Sequence, residues 1–350
     1  MMSFKLEIWN ISELINLYNE DKLNLNPPYQ RNAIWSLTSQ KLLVDTVKQG
    51  MPIPAFFLQE KDNQSFEMVD GQQRTRALLG FIKNNFKDKD ENDYSKGEFD
   101  QYKIAVNILV KDLPVEKVRE FYVKVNKTGL KLERPELNKA EFFDTSFLRL
   151  VTELSDLKEF KNLELFTPSV KKRMFDRDFV EELVALLLTG ENDKKTAVDQ
   201  LFKEDVDKEK YIEIEKSFKE IIEKLDYLNK NMSISGTRFK QKNDFYTLFG
   251  LIKRIKQEKN TTILELFENL VKISKGISPS NEKCEILQDY ARNCITQSNS
   301  KKARKRRIEI VENLLLNSSK ELSEGQKEVA EYFEVSPELK KVGPYQILKL

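Results

Sequence analysis

Apolar and polar positions alternate in short runs over the first third of the chain and recur at every third or fourth position afterwards. Ile11 to Asn19 predicts a short helix, with Leu14, Ile15 and Tyr18 on one side and Ser12 as its cap. The segment LNLNPPYQRNAIW follows, and Pro27 with Pro28 forbids helix there. Thr38 or Ser39 then starts a helix to about Gln49, ended by Gly50 and stopped by Pro52. Ala55 to Gln59 and Phe66 to Val69 are β-rich runs joined through KDNQ, a hairpin turn. A helix over Thr75 to Phe86 buries Ala77, Leu78, Phe81 and Ile82, and KDKDENDYSKGE after it is a surface loop. Tyr102 to Val110 alternates, with Ile104, Val106, Ile108 and Val110 on one face, as a half-buried strand does.

From about residue 115 the period becomes helical. Candidate helices cover 115–125, 133–151, 174–189, 207–229, 241–257, 261–273, 283–296, 300–317 and 321–333. The helix 207–229 is typical, with Tyr211, Ile214, Phe218, Ile221, Ile222 and Leu225 recurring at three or four. The pattern predicts an α+β chain: a mixed N-terminal domain over 1–150 and a mostly α-helical region over 151–350. There is no repeat period and no low-complexity linker.

Composition narrows the chemistry. With 350 residues, 39% hydrophobic and 33% charged, the chain has a globular composition and length enough for two domains. Lys and Arg number 59 against 57 Asp and Glu, a net charge of only +2, so nucleic-acid contact would have to come from local basic patches. The opening MMSFKLEIWN lacks the features of a signal peptide, and the longest strongly apolar run, Val184 to Leu188, is far too short for a membrane span. A cytoplasmic protein with no membrane partner is expected. Two cysteines, Cys284 and Cys294, exclude a disulfide framework and point to reduced thiols. The chain has no histidine. That removes Ser-His-Asp and Cys-His catalysis and nucleases with a histidine base. Zinc is not expected, since two cysteines alone supply too few ligands, and neither is haem.

The segment most suited to chemistry is FEMVDGQQRTRALL, Phe66 to Leu79, which reads as strand, tight turn and helix start. Gly71 lets backbone approach a ligand closely. The amides of the helix start, around Thr75, suit an anion, and Arg74 and Arg76 match phosphate oxygens. Gln72 and Gln73 can orient a water or a ribose, and Asp70 can hold magnesium or accept a proton. The same residues also fit an ordinary strand-turn-helix with Asp70 as cap. A second segment, NPPYQRNAIW, places Tyr29, Gln30, Arg31 and Trp35 in a proline-set loop where an arginine between aromatics can stack a base or clamp phosphate. A third, FYVKVNKTGLKLERPEL, makes a polar turn at Asn126, Thr128 and Gly129, with Pro135 opening the next helix. Taken alone, each of the last two fits a plain structural role better, as a cover of the core and as a cap between helices.

Taken in order, PPYQR…W, PIPAFFL, DGQQR after a strand, and N-x-T-G-L-x-L resemble the N-terminal domain family of GmrSD-type restriction systems over roughly residues 10–145. A looser likeness runs through RMFDRDFVEEL, RFKQKNDFYTLFGLI and YARNCITQSNSKKARKRR. The resemblance implies a ParB/sulfiredoxin-like fold, NTP binding and hydrolysis with Mg2+, and a place in defence against foreign or modified DNA. Asp70, Gly71, Gln72, Gln73 and Arg74 match its signature loop, Tyr29, Gln30, Arg31 and Trp35 its earlier motif, and Asn126, Thr128 and Gly129 its later turn. Two departures carry weight. Glutamine stands where sulfiredoxin has its cysteine, which argues against thiol chemistry. Relatives often carry a histidine-dependent nuclease domain, which this chain lacks, so a separate nuclease subunit would do any cutting.

The run KKARKRR, with Lys301, Lys302, Arg304, Lys305, Arg306 and Arg307, reads as a nucleic-acid contact, or as the solvated start of a helix whose buried stripe is Ile308, Val311 and Leu315. Two functions fit these residues. One is a nucleoside triphosphatase in which Asp70, Gln72, Gln73 and Arg74 are catalytic. The other is a non-catalytic, nucleotide-gated DNA-binding module. A homo-oligomer is compatible with either.

Overall fold

The computed structural model describes residues 3–27, 35–111, 113–126 and 133–350. The chain forms two compact units, one of residues 1–143 with 168–174, the other of 144–167 with 175–350.

The N-terminal unit is α+β. In chain order it runs β1 (Phe4–Asn10), α1 (Ile11–Asn19), β2 (Leu23–Asn24), α2 (Leu37–Lys48), β3 (Phe56–Glu60), β4 (Phe66–Asp70), α3 (Gln72–Ile82), α4 (Glu98–Gln101), β5 (Lys103–Leu109), α5 (Val115–Asn126) and α6 (Arg134–Glu141). One sheet has the order β1-β5-β3-β4-β2. Its β1/β5 and β3/β4 pairs are antiparallel, and its β5/β3 and β4/β2 pairs are parallel.

Alternation along the strands decides what each face packs against. Ile104, Val106 and Ile108 join Phe56, Leu58 and Met68 beneath α1, α2 and α3. The opposite face sends Val69 and Leu109 to Val118 and Tyr122 of α5 and Ala140 of α6, and Phe57 meets Phe121 edge-on at 5.1 Å.

Several expectations from sequence shift in detail. The cap of α1 is Asn10, whose N–H donates to the Glu13 carboxylate, and not Ser12. The cap of α2 is Ser36, its hydroxyl accepting from Ser39 N–H at 3.2 Å, two or three residues before the expected Thr38 or Ser39. Gly50 ends that helix at φ +70°, a left-handed conformation that glycine adopts without penalty. Helix α3 starts at Gln72, three residues earlier than expected, so the QQR segment is helical. Strand β1 was not expected.

The second unit is helical: α7 (Ser146–Asp156), α8 (Lys158–Asn162), α10 (Phe175–Thr189), α11 (Lys194–Glu204), α12 (Lys208–Asn231), α13 (Lys242–Ile255), α14 (Asn260–Ile273), α15 (Glu285–Ile295), α16 (Lys301–Leu315) and α17 (Glu324–Tyr332), then a hairpin of β6 (Leu339–Val342) and β7 (Tyr345–Leu348). Helix α9 (Pro168–Lys172) belongs to the first unit, where Arg173 pairs with the buried Glu136 carboxylate at 2.7 Å. The helix expected over 133–151 is two, α6 and α7, because Thr145 caps a new start by accepting from Leu148 N–H. Among the described residues no helix is long and apolar enough to cross a membrane. Cys284 and Cys294 are free thiols.

Candidate functional site at the strand-to-helix turn

Strand β4 ends at Asp70, Gly71 turns the chain, and α3 begins at once. Gly71 sits at φ +109°, and a Cβ there would stand 2.4 Å from Phe56 Cδ1. Both facts demand glycine: the conformation strains an L side chain, and the ring of Phe56 fills the space. The first bond within the helix runs from Thr75 N–H to Gly71 C=O at 2.8 Å. The amides ahead of it have no carbonyl within the helix, and they lie at the positive end of its dipole. This is an anion-binding geometry in its general form.

Arg74 is turned inward. Its guanidinium is held by Asp70 Oδ2 at 2.7 Å and by the carbonyls of Pro54 and Ala55, and it lies 4.7 Å over the Phe56 ring. Burial pushes this guanidinium below its ordinary pKa, and the adjacent Asp70 carboxylate opposes the shift. Arg74 therefore braces the turn from behind, where the sequence assigns it to phosphate. The carbonyls that hold it come from the PIPAFF segment, whose prolines forbid helix and leave its oxygens available. That segment was not among the site residues read from sequence.

Gln72 and Gln73 fasten a second segment to the turn. Gln72 Nε2 donates to the carbonyl of Leu25, and Gln73 Oε1 accepts from the amide of Trp35 at 3.3 Å. Arg76 Nη2 donates to Asn26 Oδ1. The two ends of the 26–35 segment are thus bonded to side chains of the DGQQRTR run. Tyr29, Gln30 and Arg31 lie outside the described residues. On the far side of the bond to Asn26, Arg76 lines a cleft of about 350 Å³ with Tyr18, Lys83 and Asn85, and Lys83 Nζ lies 5.3 Å over the Tyr18 ring. Burial lowers the Arg76 pKa as well. Tyr18, Asn26 and Lys83 were not read as site residues from sequence, because single residues near the ends of α1, β2 and α3 carry no spacing signal.

Of the third sequence segment, Asn126 closes α5, its side chain undescribed, while Thr128 and Gly129 lie outside the described residues. Helix α5 itself lies against β4, with Val118 and Tyr122 in the same cluster as Val69.

The basic run departs from its expected role. Ser300 caps α16 by accepting from Ala303 N–H at 3.2 Å. Arg304 and Arg307 are 1% and 0% exposed and belong to the core of the helical unit. Arg304 pairs with Glu182 and stacks at 4.2 Å over Tyr246. Arg307 donates to the carbonyls of Asn293 and Ser298 at 2.6 and 2.9 Å. Neither reaches solvent, so the reading of these two as nucleic-acid contacts is corrected. Arg306 pairs with Asp289 at 2.6 Å and Lys305 lies 3.6 Å from Glu309, both at the surface, and Lys301 and Lys302 are exposed.

An α+β domain with a glycine-opened, arginine-braced turn between a buried strand and a helix is thus in place. Residues 11–143 match the family described as GmrSD restriction endonuclease, N-terminal domain. No curated protein and no solved structure matches the chain.

Proposed function

We propose that the N-terminal unit is a ParB/sulfiredoxin-like domain that binds a nucleoside triphosphate at the amino end of α3 and hydrolyses it as part of a restriction system. The observation that carries the reading is the attachment of the 26–35 segment at its two ends, Asn26 to Arg76 and Trp35 to Gln73. It ties a segment containing Tyr29 and Arg31 to a turn whose helix dipole favours anions. In this reading the amides after Gly71 cradle phosphate, Arg31 and Arg76 neutralise charge, and Tyr29 or Trp35 stacks the base. Arg74 acts as a positioning residue that fixes the turn. Magnesium fits the donors at hand, since it is commonly held by one or two carboxylates together with substrate phosphates. Asp70, 28% exposed at its side chain, is the carboxylate in place. Catalysis is then positioning and charge neutralisation, with Gln72 or Gln73 orienting water.

Purified protein is expected to release phosphate from at least one of the common nucleoside triphosphates in the presence of Mg2+, and to lose that activity on Arg31→Ala. No binding and no turnover of any of them would overturn the proposal.

One observation favours the non-catalytic alternative. Asp70 is already paired with Arg74, so service as metal ligand or proton acceptor competes with that pair. A nucleotide-gated module would show saturable binding with negligible turnover. In either reading DNA contact falls to Lys301, Lys302 and their surface neighbours, and a separate nuclease subunit cuts.

A further inference from the structure

Strand β1 lies at the edge of the sheet, and one of its faces is apolar and uncovered. Phe4, Leu6 and Ile8 are 61%, 64% and 59% exposed. They share the sheet face of Leu109, Asn107 and Ala105, their cross-strand partners on β5. An exposed edge with three large apolar side chains is a liability that soluble proteins seldom leave open.

The hydrogen bonds to β5 show which backbone groups face outward. Val110 N–H donates to Ser3 C=O and Ile11 N–H donates to Tyr102 C=O, so the odd-numbered residues of β1 bond to β5. In an antiparallel ladder the alternate residues then direct N–H and C=O to the other side. The amides and carbonyls of Phe4, Leu6 and Ile8 are therefore those of the outer edge. Asn10 closes that row, because its N–H is taken by Glu13.

We infer that a second copy of this chain pairs with β1 along this edge, antiparallel, about a two-fold axis through Leu6. The sequence FKLEI is self-complementary in that register alone. With the axis at Leu6, Phe4 faces Ile8 of the other copy and Lys5 faces Glu7, twice over. Moving the axis to Lys5 sets lysine against lysine, and moving it to Glu7 sets glutamate against glutamate. Cross-strand opposite charges stabilise and like charges directly opposed destabilise.

The hydrogen-bond phase agrees independently. The axis at Leu6 makes Phe4/Ile8 and Leu6/Leu6 bonded pairs using the outward groups. It leaves Lys5/Glu7 as a non-bonded pair, where side chains lie closer. On the opposite face the apolar residues form one continuous strip across the axis. Neither charge is strongly engaged at present: Lys5 lies 3.9 Å from Glu60, with both side chains exposed, and Glu7 accepts one bond from Trp9 Nε1 at 2.8 Å. The interface is isologous, as closed two-fold dimers require. Its small size places the association among the weak, reversible ones.

The test is sedimentation velocity or light scattering on the full chain across a dilution series. A dimer that dissociates on dilution is expected. Glu7→Lys opposes two lysine pairs and Lys5→Glu two glutamate pairs, and each is expected to weaken association by roughly tenfold. The combined K5E/E7K chain restores the opposite-charge pairs, and its association should return close to the original. All of these positions are exposed, and circular dichroism checks that each variant is folded. A chain monomeric at every concentration would overturn the inference. So would a dimer indifferent to Glu7→Lys, or a double variant as weak as the single ones.

Discussion

Arg74 Nη2 lies 2.7 Å from Asp70 Oδ2, clamping the last residue of β4 to the first turn of α3 across Gly71. The pair is closed from behind by the carbonyls of Pro54 and Ala55. Replacing Arg74 with alanine leaves those carbonyls and a half-buried carboxylate without their partner. Urea unfolding of Arg74→Ala should show a loss of about 2–4 kcal/mol. Arg74→Lys should recover only part of it, since one ammonium cannot reproduce the fork that meets three acceptors. Unchanged stability in Arg74→Ala would mean that the guanidinium does not brace the turn.

Gly71→Ala combines two penalties, a left-handed backbone at φ +109° and a methyl 2.4 Å from the Phe56 ring. A cost of about 2–4 kcal/mol is expected. Shrinking the ring with Phe56→Leu should make the alanine less costly, but not free, because the backbone strain stays. A double-mutant cycle reads the steric share directly.

The basic run separates cleanly by burial. Arg304→Ala is expected to cost about 2–4 kcal/mol, moderated because Lys194 still contacts Glu182 at 2.6 Å. Lys301→Ala with Lys302→Ala should leave stability within about 0.5 kcal/mol. If these lysines meet DNA, the same pair of changes should lower the slope of log affinity against log salt by roughly 2. A slope unchanged by them would remove the run from any nucleic-acid interface.

Asp88 supplies a pH dependence. Burial pushes its carboxyl up, but the Lys48 ammonium and the amides of Asn92 and Asp90 outweigh that and hold it at about 2, against an ordinary 3.8. A carboxyl depressed in the folded state stabilises at pH above its unfolded value, and that stabilisation disappears as pH falls through the folded one. The window is therefore from about pH 4 down to about 2. After allowance for solvent around this loop, the contribution is on the order of 1 kcal/mol. Asp88→Asn should flatten the acid limb of stability measured by urea unfolding in that window, lowering stability at neutral pH by about that amount and changing little below about pH 2.

What was legible in the sequence depended on whether a residue's partner was near it in the chain. The alternation of Ile104, Val106 and Ile108 and the helical period of α12 follow from local spacing, and the α+β class with them. The DGQQR turn was also legible, because Gly71 after a strand permits few alternatives. Strand β1 was missed although Phe4 to Ile8 alternate with the period of a strand; what the alternation could not give is that the face of Phe4, Leu6 and Ile8 is the uncovered one, while Lys5, Glu7 and Trp9 take the other. The burial of Arg304 could not be read from KKARKRR, since its carboxylate, Glu182, lies far back on α10. The partners of Arg74 were not legible for a related reason: the carbonyls of Pro54 and Ala55 carry no signature as acceptors.

Trp35 offers a direct readout of the proposed site, because its amide is held by Gln73 and its ring packs against the core beside the turn. The other tryptophan, Trp9, lies edge-on to Phe66 at 5.7 Å. In a Trp9→Phe background the remaining indole should change its emission as nucleotide binds, with a saturable dependence on concentration. Gln73→Ala removes the acceptor of the Trp35 amide and loosens one attachment of the 26–35 segment. It should weaken nucleotide binding by roughly tenfold, the equivalent of about 1.4 kcal/mol, a size fitting one lost hydrogen bond with some loss of order. The change in stability should be smaller than for Arg74→Ala, since Gln73 meets the segment and not the strand. If emission responds to nucleotide equally in both chains, the segment is not held through Gln73 when ligand binds. If it responds in neither, while titration calorimetry shows binding, the nucleotide lies elsewhere.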